Sequence, residues 1–230
     1  MLEALKEEVF QANLLLHRSG LVRLTWGNVS GADRRAGLFV IKPSGVAYDR
    51  LGVEDLVVVD FEGRKVEGRW NPSSDTPTHA VLYRAFESIG GVTHTHSVHA
   101  TAFAQACREI PCLGTTHADH FHGPVPVTRA LTPSEVREGY EVHTGRVIVE
   151  RFRELDPAAM PAVLVAHHGP FSWGPDATAS VVQAVALETV AEMALRTLQL
   201  DGRRRRIPDC LLEKHYSRKH GPAAYYGQRS

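Results

Sequence analysis

The chain has 230 residues, of which 43% are hydrophobic and 23% charged, and its 26 basic residues balance its 26 acidic residues. This composition is ordinary for a globular protein, and its zero net charge gives no support for binding to nucleic acid or to a membrane surface. No uninterrupted apolar run is long enough to predict a transmembrane helix. The three cysteines form no CxxC pair, which favours a reducing, cytoplasmic compartment. We expect residues 1–230 to form a single α/β domain.

The first part of the chain predicts a helix, several strands and a second helix. Apolar residues recur at three- and four-residue spacing over residues 2–19, and Gly20 ends that helix. A polar turn then opens a helix that runs to about Phe86, with Thr76 as its cap and with Ala80, Val81 and Ala85 facing inward. Strands are predicted at residues 21–25 and 37–41, and a hairpin at residues 56–61 and 65–67.

The second part alternates strands with helices and has an irregular stretch at residues 110–130. Thr132 and Glu135 match a capping box, which predicts one short helical turn. The further predicted elements are strands ending at His94 and at residues 147–149 and 162–165, and helices at residues 99–107, 176–199 and 208–216. The four arginines at 203–206 are interpreted as a solvated loop rather than a nucleic-acid site, since no aromatic residues interleave them.

Histidine is the one residue type in clear excess, with 13 in the chain. His94 and His96 lie two residues apart at the end of a predicted strand, so their side chains should point to the same face. Two neutral imidazoles can hold one divalent cation such as zinc. A second apolar strand ends at His167 and His168, and strand alternation lets only one of these supply a third ligand. The alternative is a set of ordinary hydrogen-bonded histidines.

Three polar turns offer groups that bind anions. Gly27-Asn28 offers an amide and a closely approachable backbone, and Lys42-Pro43-Ser44-Gly45 offers an ammonium and a hydroxyl. Ser73-Ser74 comes just before a helix start, where free N–H groups favour a phosphate. Each turn alone is explained as well by turn chemistry or helix capping. Together they predict a phosphate pocket.

Three further polar residues are candidates for acid/base chemistry or ligation. Asp75 can act as a metal ligand or a base at the helix start, or can simply cap the helix. Asp119 lies in a polar stretch and can act as a general acid or base, or form a local turn. Tyr226 belongs to an aromatic tail and can exchange a proton with a substrate hydroxyl, or merely pack on the body.

These motifs resemble the class II aldolase/adducin family over nearly the whole chain. The resemblance rests broadly on the Lys42–Gly45 turn, the His94-x-His96 pair and His168-Gly169. Asp75, the Thr-Thr-His-Ala-Asp stretch that ends at Asp119 and the Tyr-Tyr-Gly-Gln tail are similar to the pentulose-phosphate 4-epimerases of that family. The related fuculose-phosphate aldolases carry glutamate at the position of Asp75.

The resemblance implies roles for individual residues. A divalent metal, zinc first and manganese or cobalt as substitutes, would be bound by His94, His96 and His168, with Asp75 at the metal as ligand or catalyst. Asp119 and Tyr226 would form an acid/base pair, with His215 near the reacting end. The substrate, chiefly its phosphate, would be held by Gly27, Asn28, Lys42, Ser44, Gly45, Ser73 and Ser74.

The resemblance also implies a fold, an assembly and a reaction. The fold would be a three-layer α/β/α domain around a mixed, mostly antiparallel sheet. The assembly would be a homotetramer with active sites at subunit interfaces, so that Asp119, His215 and Tyr226 serve a neighbour's metal. The reaction would convert L-ribulose 5-phosphate into D-xylulose 5-phosphate by breaking and reforming the C3–C4 bond, through an enediolate stabilised by the metal and glycolaldehyde phosphate.

Three other functions compete with this one. A sugar-phosphate aldolase of the fuculose-phosphate type would release its aldehyde, and Asp75 and the tail argue against it. An adducin-like structural module would not need intact His94, His96 and His168. A zinc hydrolase would leave the phosphate turns unexplained. The sequence leaves open whether the epimerisation serves arabinose or ascorbate breakdown.

Overall fold

A computed structural model describes residues 2–202, 206–220 and 224–226. The helices are α1 Glu3–Arg18, α2 Thr76–Ala85, α3 Val98–Gln105, α4 Thr115–Ala118, α5 Pro133–Arg151, α6 Ala177–Leu200 and α7 Asp209–Lys219. The strands are β1 Asn28–Asp33, β2 Leu38–Ile41, β3 Val57–Asp60, β4 Lys65–Glu67, β5 Gly91–His94, β6 Ala162–Leu164 and β7 Pro170–Gly174. Two 3₁₀ turns, Tyr48–Arg50 and Val53–Asp55, lie between β2 and β3.

The seven strands form one sheet in the order β4-β3-β2-β1-β5-β7-β6, and every neighbouring pair is antiparallel. Within the described ranges the parallel pairing is an isolated bridge between Val127 and Leu164. The mostly antiparallel sheet is therefore confirmed. The order also places β7 directly beside β5, although 75 residues separate the end of β5 at His94 from the start of β7 at Pro170.

Helices cover both faces of the sheet. Val40 of β2 belongs to the cluster that α1 and the start of α6 complete, with Val9 and Val181 as members. Phe39 points the other way and packs on Tyr83 of α2, 5.2 Å between ring centroids. Helices α2 and α5 pack on each other on that second side. The alternation of β2 between two apolar surfaces produces the predicted three-layer α/β/α arrangement.

Helix α6 is the one helix in the described part of the chain that is long and apolar enough, by length and composition, to cross a membrane. In this fold it packs on β5 and β7 and against α1 and α3. Its buried residues include Val181, Leu187 and Val190. We therefore interpret its apolar character as that of a core helix.

Several sequence-based elements are wrong. Residues 21–25 form no strand, because Leu24 adopts a left-handed φ of 53° and the segment turns from Arg23 to Trp26. The strand begins instead at Asn28, where a glycine and an aspartate lower the local strand propensity. Residues 147–149 lie in α5, so the predicted single turn is a helix of 19 residues, with both capping-box hydrogen bonds formed and a kink at Gly139.

Other corrections concern element ends. The sequence predicts a break at Gly169-Pro170, but proline is tolerated as the first residue of a strand, and β7 pairs with β5 and β6 from there. Asp75 rather than Thr76 occupies the cap position of α2, and Ala85 is exposed rather than inward. Residues 203–205 and 227–230, which include most of the arginine run and the end of the aromatic tail, lie outside the described residues.

We expect Gly91→Ala to destabilise the fold by about 3 kcal/mol, because overpacking a rigid site costs energy on this scale. A Cβ at this position would lie 2.2 Å from the carbonyl oxygen of Asp176, which is backbone and cannot rotate away. Gly202→Ala is the matched control, since in the described part of the chain no atom beyond its immediate neighbours lies within 4 Å of its added Cβ. Urea unfolding of both variants measures the difference, and equal midpoints would contradict the prediction.

Candidate metal centre and phosphate pocket

The candidate metal centre lies where β5 ends and β7 begins. His94 is the last residue of β5, and its backbone pairs with Phe171 of β7, so the loop that carries His168 runs alongside it. Gly169 permits this approach, since a Cβ there would lie 2.8 Å from the Thr95 carbonyl oxygen. His96 follows the strand rather than belonging to it, yet its ring reaches the same place. The sheet thus joins two distant segments of the sequence.

The three imidazoles form a compact set of ligand atoms. Nε2 of His96 lies 3.1 Å from Nε2 of His94, and ligand atoms of His94, His96 and His168 all lie within 4.8 Å of one another. Nδ1 of His94 donates to the Pro170 carbonyl oxygen over 2.9 Å, which makes Nε2 the lone-pair nitrogen of the neutral ring. Nδ1 of His168 is buried and has no hydrogen-bond partner among the described residues. This donor set fits a divalent metal.

Burial keeps these rings in the form that binds a metal. It lowers the pKa of His168 to about 3, assisted by the positive charges that His94 and His96 can carry. It also lowers the pKa of His96, and the nearby His94 acts in the same direction. A neutral imidazole offers a lone pair, so both rings are ready to coordinate at neutral pH without losing a proton.

The structure also separates His168 from its neighbour His167. The ring centroid of His168 lies 4.7 Å from that of His94 and 5.1 Å from that of His96. His167 adopts a left-handed φ of 62°, is exposed, and contacts the Cys107 thiol, with Nε2 3.3 Å from Sγ. Of the two adjacent histidines, the structure therefore brings His168 into the cluster.

Asp75 lines the same cavity but is held by the amide of Asn28. Nδ2 of Asn28 donates to Oδ2 of Asp75 over 2.7 Å and to Oγ of Ser73 over 3.1 Å. Burial opposes ionisation of Asp75, but the charges that His94 and His79 can carry, together with this hydrogen bond, hold its pKa below the ordinary value. Asp75 is thus a carboxylate beside the histidines, and ligation by it stays a prediction.

One cavity of about 530 Å³ joins the histidines to all three predicted phosphate turns. Each residue predicted for the metal or the substrate is part of its lining: Gly27, Asn28, Lys42, Ser44, Gly45, Ser73, Ser74, Asp75, His94, His96 and His168. Sequence reasoning missed Thr25, Trp26, Tyr140 and Glu141, which complete the wall. Tyr140 follows the kink at Gly139, and its ring lies 5.8 Å from His168.

The side of the cavity predicted to hold the phosphate combines a buried lysine with a tight backbone turn. Lys42 is 1% exposed, and burial lowers its pKa to about 8. Gly27 has a φ of +75°, and a Cβ there would lie 2.9 Å from the His94 carbonyl oxygen, so only glycine fits. Close packing of this turn on the end of β5 links the lysine end of the cavity to the histidine end.

A second polar cluster surrounds Asp119 and does not line this cavity. Nε of Arg218 donates to Oδ1 of Asp119 over 2.9 Å, and Nδ1 of His215 lies 3.1 Å from the same oxygen. Tyr226 is 61% exposed, and its ring lies 4.9 Å from the Arg218 guanidinium carbon and 4.5 Å from Nζ of Lys219. Burial opposes ionisation of Asp119, but hydrogen bonds from Arg218 and His215 hold its pKa below the ordinary value.

Comparison with known sequences identifies the family of this chain. Residues 7–195 match the Class II Aldolase and Adducin N-terminal domain. The chain belongs to the class II aldolase and adducin family. Among curated members, the L-ribulose-5-phosphate 4-epimerase UlaF of Salmonella paratyphi B is 55% identical over 228 residues, which is 99% of this chain and 100% of that protein. The protein of the same name from Salmonella typhi is 55% identical over the same extent.

Solved class II aldolases share the fold. An L-fuculose 1-phosphate aldolase superposes with a TM-score of 0.79 at 25% identity, covering 94% of this chain and 95% of its own. The L-fuculose-1-phosphate aldolase of Thermus thermophilus superposes with a TM-score of 0.67 at 26% identity, covering 86% of this chain and 97% of its own. The fold expected for the family is thereby confirmed.

Proposed function

We propose that this protein is an L-ribulose-5-phosphate 4-epimerase, which interconverts L-ribulose 5-phosphate and D-xylulose 5-phosphate. The observation that carries the reaction class is the single cavity in which a three-histidine cluster and a buried lysine face the same space. The choice of epimerase over aldolase is supported by the curated relatives of 55% identity over the full chain.

The substrate explains why both ends of the cavity are needed. The hydrogen on C4 of a ribulose phosphate is not adjacent to the carbonyl group, so simple enolisation cannot invert that carbon. Breaking the C3–C4 bond gives a three-carbon enediolate and glycolaldehyde phosphate, whose aldehyde can turn over before the bond reforms. A divalent metal, zinc by preference with manganese or cobalt as substitutes, would be held by His94, His96 and His168 and would supply Lewis acidity.

Residues of the phosphate end keep the aldehyde fragment from leaving. That end is lined by Lys42, Ser44, Ser74, Gly27 and Gly45. These residues can offer an ammonium group, two hydroxyls and backbone N–H groups. Charge-assisted hydrogen bonds to the phosphate would hold it fixed while the aldehyde carbon rotates. This retention distinguishes an epimerase from an aldolase built on the same fold.

Acid/base catalysis would come from Asp119 and Tyr226, with His215 beside Asp119. One group must take the C4 hydroxyl proton as the bond breaks, and another must return a proton on the opposite face. None of these three residues lines the cavity of its own chain. We therefore propose that they act on the cavity of a neighbouring subunit, in a homotetramer with its active sites at interfaces.

The remaining proposals concern cellular context. The three free cysteines, two of them exposed, support a reducing cytoplasm. We take the domain to span residues 1–230. All seven strands, from β1 to β7 along the chain, belong to one sheet, and the curated relatives match over 99% of the chain.

Parallel incubation with two substrates tests the choice of reaction. L-Ribulose 5-phosphate should be converted into D-xylulose 5-phosphate, whereas L-fuculose 1-phosphate should yield dihydroxyacetone phosphate at a rate at least ~100-fold lower, a gap that separates true substrates from analogues. Product identity is read by carbon-13 NMR. Faster cleavage of L-fuculose 1-phosphate would make the protein an aldolase.

Phosphate binding is expected to weaken above pH 8. Lys42 is protonated below its pKa of about 8 and loses its charge above it, so affinity for the phosphate dianion should fall as pH rises. With binding confined to the charged form, the inhibition constant of inorganic phosphate should rise about tenfold per pH unit above that value. Lys42→Arg keeps its charge at these pH values, so it should flatten the profile. A wild-type constant unchanged between pH 8 and 10 would contradict the prediction.

A further inference from the structure

Tyr48 contacts two of the three turns that form the phosphate pocket, although it does not line the cavity itself. It begins the 3₁₀ turn after β2 and is 3% exposed. Its hydroxyl donates to the carbonyl oxygen of Gly27 over 2.9 Å and lies 3.2 Å from that of Trp26. The face of its ring lies 4.7 Å from Nζ of Lys42. One buried side chain thus contacts both a backbone turn and a cation of the pocket.

The contact with Lys42 is of a kind that leaves the ammonium free to bind an anion. Nζ of Lys42 has one long hydrogen bond, 3.4 Å to the Pro43 carbonyl oxygen, and no carboxylate pairs with it among the described residues. An aromatic face attracts a cation without accepting its N–H bonds in a fixed direction. Tyr48 therefore holds the Lys42 ammonium in place while the N–H groups of that ammonium remain available to an anion.

The second contact of Tyr48 is a hydrogen bond to the Gly27 turn. Gly27 already adopts a left-handed φ and lies against the end of β5, and the hydroxyl of Tyr48 adds a hydrogen bond to its carbonyl oxygen. Asn28, whose amide holds Asp75 and Ser73, is the next residue. The Tyr48 ring itself stacks on His17 of α1, with 5.0 Å between centroids and planes 1° apart. Tyr48 is thereby anchored to a helix outside the pocket.

We propose that Tyr48 is a positioning residue of the phosphate pocket, which fixes the spacing between the Lys42 ammonium and the Gly27-Asn28 turn so that both meet one phosphate. This inference rests on the proposed function, since it takes a sugar phosphate as the ligand. In this inference the ring of Tyr48 holds Lys42 and its hydroxyl holds Gly27. Single substitutions at Tyr48 can test the two contacts separately.

Two variants of the metal-loaded full-length protein test these tasks. Tyr48→Phe removes the bond to Gly27 and keeps the ring, so KM and the inhibition constant of inorganic phosphate should each rise about fivefold, the usual effect of one lost hydrogen bond. Tyr48→Leu removes both contacts and should raise them by about thirtyfold. For both variants kcat should stay within about twofold, because the contacts act on binding rather than on the reacting atoms.

Tyr83→Phe is the matched control. Tyr83 is a fully buried tyrosine whose hydroxyl lies 2.7 Å from Oγ of Ser30, and it does not line the cavity. Loss of the Tyr83 hydroxyl should leave the affinity for phosphate unchanged. It should lower the midpoint of unfolding about as much as Tyr48→Phe does. An unchanged phosphate constant in folded Tyr48→Phe would overturn the inference even if Tyr48→Leu failed to fold.

The outcomes separate the inference from the function on which it rests. If the wild type epimerises L-ribulose 5-phosphate but Tyr48→Phe binds phosphate as tightly, the positioning role fails and the function stands. If Tyr48→Phe weakens phosphate binding in a protein that does not epimerise L-ribulose 5-phosphate, the positioning role stands and the proposed function fails.

Discussion

His168→Asn is expected to lower kcat/KM for L-ribulose 5-phosphate by about a thousandfold or more. The reason is that a Lewis acid contributes several kcal/mol to stabilising developing negative charge, and removing one of the three proposed ligands should weaken metal binding. Bound zinc per subunit after dialysis should fall together with activity. His168 is the proposed ligand to test because its Nδ1 is buried without a hydrogen-bond partner among the described residues and because it lies far in sequence from His94, at the end of β5, and from His96 just after it.

The neighbouring histidine provides a closely matched control. His167→Asn changes the same residue type one position away, and asparagine tolerates the left-handed φ of 62° found there. The ring of His167 is exposed and contacts Cys107, so zinc content and activity should stay close to those of the wild type. Loss of zinc in His167→Asn with retention in His168→Asn would reverse the ligand assignment.

Assemblies made only of Asp119→Asn subunits should be nearly inactive. Assemblies that mix Asp119→Asn subunits with His168→Asn subunits should regain activity. Asp119 lies in a cluster with His215 and Arg218 that does not line the cavity of its own chain. Loss of a general acid/base costs about 10² to 10⁴ in rate. In a random mixed assembly in which each site takes its metal ligands from one subunit and Asp119 from the next, about a quarter of the sites would contain neither substitution.

Co-expression with two different affinity tags yields such mixed assemblies. Activity near a quarter of the wild-type value would support shared sites. Activity no greater than the sum of the two single variants would place all the catalytic groups within one chain and would contradict the proposed interface site. Assemblies containing Asp119→Asn alone, purified with the same tags, provide the baseline.

Local patterns in the sequence were enough for some parts of the fold. Helix α1 follows its apolar stripe because Val9, Ala12 and Leu16 are all buried against the sheet. Strand β1 was missed because its pairing comes from β2 and β5 rather than from its own residues, among which Gly31 and Asp33 are poor strand formers. Residues 147–149 read as a strand because Val and Ile favour strands, yet the packing of α5 on α2 keeps them helical.

In the site, too, short motifs could be recognised in the sequence, whereas contacts that depend on the fold could not. The residues predicted for the metal and the phosphate all line one cavity, and each could be singled out in the sequence because it belongs to a short motif at the end of an element. Tyr140 and Tyr48 belong to no such motif, and their relation to the site depends on a kink at Gly139 and on a contact with Lys42. Only the folded chain shows that Gly169 must lack a side chain so that His168 can approach His94.

The most direct test of the central claim is to follow L-ribulose 5-phosphate with protein stripped by a chelator, before and after zinc or manganese is restored, while measuring D-xylulose 5-phosphate and free glycolaldehyde phosphate together. We expect no turnover in the stripped protein, and metal-dependent formation of D-xylulose 5-phosphate with little free aldehyde. Release of the aldehyde without the epimer, or the absence of turnover with either metal, would contradict the assignment.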